Sequence, residues 1–136
     1  MTTIELLEIL KENREVNIDE LLAKIPELTF VDYLDILCEE KSIKKSEIIK
    51  RTNLDRTYAY QIFNGTKTPS QDKVIQIALA LSLDLHDTNN LLTLSKNKVL
   101  YPKIKRDALI ILCLNKQYNL FKTNELLDEY NMKILS

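Results

Sequence analysis

Glycine occurs once in the chain, at position 65, proline three times, histidine once and tryptophan never. So little glycine and proline leaves few residues suited to the tight turns that sheets need. Leu, Ile, Lys, Glu and Asp abound instead, and these favour an all-helical fold. Long apolar runs are also missing. None approaches the roughly 20 residues of a membrane span, and no signal-peptide pattern opens the chain. A cytoplasmic protein that does not enter a membrane is therefore expected. The two cysteines, Cys38 and Cys113, sit inside apolar helical patterns and read as buried, reduced thiols rather than a disulfide.

Catalytic groups are scarce as well. The single histidine, His86, stands beside Asp87 at a helix start and reads as a surface group. No nucleophile has a neighbouring base, no glycine-rich loop could cradle a phosphate, and no cluster has metal-ligand spacing. An enzyme is not expected, and neither a cofactor nor a metal is implied.

What is present is a lopsided distribution of charge. The 136 residues carry a net −1, yet residues 1–40 hold eleven acids against three bases, for −8. Residues 41–75 hold eight bases against three acids, for +5, and the remainder carries +2. Such asymmetry says more than the total. The basic block is either a solvated face or a surface for a polyanion.

At this length one domain with a modest extension is expected, large enough to bury a core unaided. The chain reads as a succession of short helices. "TIELLEILKEN" sets Ile4, Leu7 and Leu10 on one face, with Thr2 or Thr3 as N-cap. "NIDELLAKI" follows, stopped by Pro26. "TFVDYLDILCEEK" starts on Thr29 and turns Phe30, Leu34, Leu37 and Cys38 inward. "SQDKVIQIALALSL" starts on Ser70, with Val74, Ile77, Ala78 and Leu81 inward, and "DTNNLLTLSK" starts on Asp84 or Asp87. After Tyr101-Pro102, "KIKRDALIILCLNK" and "TNELLDEYN" form a helical hairpin. The segment Ala108–Leu114 is apolar almost all round, so it is either sandwiched within the monomer or also a dimer seam.

Between these lie two very short helices, Lys45–Arg51 and Asp55–Asn64, whose brief connection forces a sharp crossing. Asn53 is the expected left-handed residue of that turn, and Leu54 the plug between the helices. On a helical wheel Ala59, Ile62 and Phe63 fall together with Tyr58 at their margin. Arg56, Thr57, Tyr60, Gln61 and Asn64 take the opposite side. Arg can bond guanine bidentately, Gln can bond adenine, and Thr can touch a thymine methyl. Gly65 ends the helix at the position that wants positive φ. Lys67 and Thr68 follow in a loop, free for phosphates.

The stretch "SEIIKRTNLDRTYAYQIFNGTKTPSQDKVIQIALALSLDL" resembles the helix-turn-helix of lambda-repressor-like, XRE-type bacterial transcription regulators. The resemblance covers about residues 29–96. It rests on Glu47-Ile48, Asn64-Gly65, Pro69-Ser70 and "IALALSLDL" with Leu91-Leu92. It implies a five-helix DNA-binding core at 29–98, an acidic helical extension at 1–28 and a C-terminal hairpin at 99–136 that packs on the core or forms a dimer interface. It further implies base reading by Arg56, Thr57, Tyr60 and Gln61, and backbone contacts by Lys44, Lys45, Tyr58, Asn64, Lys67 and Thr68. Double-stranded DNA, bound by a homodimer acting as a repressor, is then the expected partner. Two positions depart from the family: Ile49 stands where alanine is usual, and Asn53 where glycine is. A second expectation is a protein-binding adaptor that engages a partner through the acidic N-terminal helices or the C-terminal hairpin, with DNA irrelevant. No sensor pocket is evident.

Overall fold

The structure is a computed structural model, and it describes residues 3–12 and 17–136. Among these residues the fold is all-α, with nine helices and no strand. Two of them form the acidic front: α1 (Thr3–Lys11) and α2 (Ile18–Lys24). Asn17 caps α2 by accepting from the Glu20 N–H at 3.2 Å, yet no residue of α2 is buried. Of the two caps expected for α1, Thr2 lies outside the described residues, and Thr3 is the first residue of the helix rather than its cap. Ile4, Leu7, Leu10, Ile18 and Leu22 are all exposed, so these helices add little to the core.

Helix α3 (Phe30–Lys41) begins with a capping box. Thr29 Oγ1 accepts from Asp32 N at 3.1 Å, and Asp32 Oδ2 accepts from Thr29 N at 3.3 Å. Two otherwise orphaned donors are thereby satisfied, which fixes where the helix starts. Phe30, Leu34, Leu37 and Cys38 are buried, as their spacing predicts. Then come α4 (Lys45–Lys50), α5 (Arg56–Phe63), α6 (Gln71–Ala80) and α7 (Leu85–Leu94). Ser70 caps α6 and Asp84, not Asp87, caps α7.

Helix α6 is the centre of the molecule. Every residue from Val74 to Ala80 is buried, which no surface helix allows. It packs on α7 and on α9 (Leu120–Glu129), while α7 also meets α3 and α8 (Lys105–Asn115). Ile110, Leu114, Leu120, Leu127 and Leu135 join Leu34, Ile62, Ile77 and Leu91 in one continuous cluster. Arg106 ties the tail to α6 by donating to Asp72 at 3.3 Å and to Lys133 O at 2.8 Å. The last helix starts earlier than "TNELLDEYN" suggests. Asn119 Oδ1 accepts from Lys122 N at 2.8 Å and so sets the start three residues upstream, leaving Thr123 buried inside the helix.

The scarcity of glycine has a local cost. Ser42, Ser82, Lys96, Gln117 and Asn131 all adopt positive φ, between 52° and 60°, just after helices. Each non-glycine residue in that region costs on the order of 1 kcal/mol. Gly65 stands apart at φ 85°. An added Cβ there would meet only Val31 Cγ2, at an ordinary 3.5 Å, so the backbone alone sets the price of substitution. Gly65→Ala is expected to lose about 1–2 kcal/mol in urea unfolding; an unchanged midpoint would show that the turn relaxes.

Both cysteines are free and buried, and burial pushes both thiols above their ordinary pKa. Tyr33 reports the packing of α3 on α7. Its hydroxyl donates to Asp87 Oδ1 at 2.8 Å and accepts from Asn90 Nδ2 at 3.2 Å. Burial, aided by Asp87 and Asp84, pushes the phenol up to about 12 from 10.0. A raised pKa means that the neutral phenol stabilises the fold fully below pH 10, and that this contribution drains away between pH 10 and 12. Tyr33→Phe is therefore expected to be less stable at pH 8 but to lose less over that alkaline window. Parallel urea curves for the two proteins across the window would contradict this.

Candidate nucleic-acid interface

The site is built on α5 and the segments that hold it. Asp55 Oδ2 accepts from Tyr58 N at 3.1 Å and caps the helix, a role the sequence pattern did not flag. At the other end Asn64 is the C-cap and Gly65 carries the chain away. Asn64 Oδ1 turns back to accept from Thr66, both N–H and hydroxyl. Ala59, Ile62 and Phe63 are buried, with Ala59 small where α4 and α3 approach.

Arg56, Thr57 and Tyr60 are exposed and Gln61 is half-buried, all on the face away from the core. The Arg56 guanidinium lies 5.8 Å over the Tyr60 ring. That ring in turn meets Phe63 edge-on, at 5.9 Å between centroids and 88° between planes. Tyr60 is thus propped from below by the core and covered on its face by a cation. Such a contact is worth about 0.5–1 kcal/mol at an exposed site and biases Arg56 toward the Tyr60 ring.

Two of the expected backbone contacts stand differently from the others. Lys45 Nζ lies 2.6 Å from Asp35 Oδ1 in a partly exposed ion pair, which a phosphate contact would have to share or displace. Tyr58 is half-buried and packs against the core cluster rather than standing outside it. Lys44, Lys67 and Thr68 are exposed. Lys67 N donates to Gln61 O at 3.0 Å, which draws the loop back along the helix. Asn97 Nδ2 donates to Pro69 O at 2.9 Å and Gln71 Nε2 to Lys98 O at 2.8 Å, so the loop's far end is fixed too.

The turn before α5 also differs from expectation. Asn53 is not left-handed; Arg51 closes α4 at φ −90°, ψ 0°. What stabilises the turn comes from outside it. Gln76, wholly buried in α6, accepts from Asn53 N through Oε1 at 3.1 Å. Its Nε2 has no partner among the described residues. Leu54 is buried in the crossing, as its position suggests. Gln76 was the residue sequence reasoning missed, and the signal was there: a lone amide inside "VIQIALA".

Among the described residues no three of His, Cys, Asp and Glu gather where a metal could sit, and no helix is long and apolar enough to cross a membrane. No protein-family model, no curated protein and no solved structure matches the chain.

Proposed function

We propose that this chain is a sequence-specific DNA-binding transcription regulator of the lambda-repressor-like, helix-turn-helix kind, which sets α5 into the major groove. The observation that carries the reading is the two-sided character of α5. One face is sealed in the core, and the other offers Arg56, Thr57, Tyr60 and Gln61, flanked by Lys44 and Lys67. Side chains of these types match base edges and the T methyl, and the flanking cations match phosphates. A module of this size makes few contacts, so a cytoplasmic homodimer on two half-sites about one helical turn apart supplies the affinity. Repression needs only occupancy of the site, and no activating surface has to be invoked.

Gln61→Ala is expected to lose about 1–3 kcal/mol on the selected duplex and little on random DNA, while Lys67→Ala weakens both alike. Anisotropy on the two duplexes measures it. Equal losses from both variants on both duplexes would remove the base-reading role.

One observation favours a second reading. The acidic front presents Ile4, Leu7, Ile18 and Leu22 to solvent, a combination suited to a basic, apolar protein partner. Heparin separates the readings: salt-sensitive retention supports the DNA regulator, and flow-through supports the protein-binding adaptor.

A further inference from the structure

The turn before α5 borders a groove that base reading leaves unused. Its volume is about 550 Å3, within the roughly 300–1,000 Å3 of small-molecule sites. Lys50, Arg51 and Asn53 line it from the end of α4, Ala80 from the end of α6, and Asn119 and Phe121 from the start of α9. Two cations and no carboxylate therefore line one cavity.

The two cations differ. Arg51 is held, with Nε donating to Glu47 at 3.2 Å and Nη1 to Ala80 O at 3.0 Å. Lys50 has no ion-pair partner among the described residues. Phe121 is the most exposed large apolar side chain among them, at 77%, although its neighbour Leu120 is buried. Cations at the end of α4 are accounted for by the helix dipole alone. An aromatic ring left in water beside a free ammonium and the amides of Asn53 and Asn119 is not.

We propose that this groove binds a small organic anion carrying an aromatic ring, and that binding regulates DNA affinity. Lys50 takes the anionic group, the Asn53 and Asn119 amides fix its direction, and Phe121 covers the ring. Asn53 couples the groove to α5, since its backbone is held from behind by Gln76 and the chain enters α5 two residues later. Ligand binding stands on the groove alone, whereas its regulatory effect rests on the proposed DNA reading.

The test titrates the full-length, 15N-labelled protein with 2-naphthoate, with acetate and 2-naphthol as anion-only and ring-only controls. Saturable shifts centred on Asn53, Asn119 and Phe121 are expected with 2-naphthoate, and only weak ones with either control. Lys50→Gln and Phe121→Ala alter exposed side chains, so the fold should survive. Each is expected to weaken binding at least fivefold. Shifts scattered over the surface, or affinity unchanged in both variants, would overturn the site. The DNA arm is separate: 2-naphthoate should change duplex affinity of the wild type but not of Phe121→Ala. Binding without any change in duplex affinity would overturn the regulatory role. Absence of DNA binding altogether would end the DNA reading and leave the ligand result standing.

Discussion

A chain ending at Tyr101 is expected not to fold. Helix α6 is buried along all seven residues from Val74 to Ala80, and part of that cover is α9. Helix α7 likewise meets α8. Truncation removes the cluster's Ile110, Leu114, Leu120, Leu127 and Leu135 and turns their contact surfaces on α6 and α7 to water. Each large apolar side chain is worth about 1.5–3 kcal/mol on burial, so even half of that loss, spread over five residues, rivals a domain's net stability of roughly 5–15 kcal/mol. The Arg106–Asp72 bond and the bond from Ser136 N to Asp72 go as well. Circular dichroism and gel filtration of residues 1–101 measure the outcome. A helical, monomeric product would contradict the sandwich and make Ala108–Leu114 a seam between two copies. As a milder control, Leu112→Ala should cost little, because that side chain is 47% exposed on the outer face of α8.

The second large effect is expected in salt. On the proposed reading Lys44 and Lys67 flank α5 as phosphate contacts and Arg56 brings a third cation into the groove. A homodimer then presents six, and the affinity should fall about a thousandfold between 50 and 200 mM salt. Lys67→Ala removes two of the six, and the same change in salt should then cost only about a hundredfold. Anisotropy at four or five salt concentrations gives both slopes. A wild-type slope near zero would mean that the basic block is a solvated face. The −8 of residues 1–40 sharpens the point, because those acids must lie away from the duplex for the slope to be steep.

What could be read in advance depended on whether a feature is local. The caps at Thr29, Ser70 and Asp84 sit three residues from the donors they satisfy, so sequence spacing is enough to find them. The inward faces of α3, α5 and α6 follow from period alone. Features made by distant residues were hidden. The Lys45–Asp35 pair joins two helices, and the Asn53 turn is held by Gln76, twenty-three residues further on. The left-handed ends at Ser42 and Gln117 were hidden for a different reason: where glycine is scarce, the packing of the following segment imposes that geometry on whatever residue is there. The groove beside Phe121 needed α4, α6 and α9 brought together, and no stretch of sequence contains it.

The central claim is that α5 reads bases. Selection of duplexes from a random library at about 150 mM salt, by the wild type and by an Arg56→Ala, Gln61→Ala double variant, tests it directly. The wild type should enrich one motif with inverted half-sites, and the double variant should lose the motif while retaining weak binding to DNA in general. Enrichment of the same motif by both proteins would contradict base reading by α5, and no enrichment by either would make the paired short helices a scaffold for a protein partner.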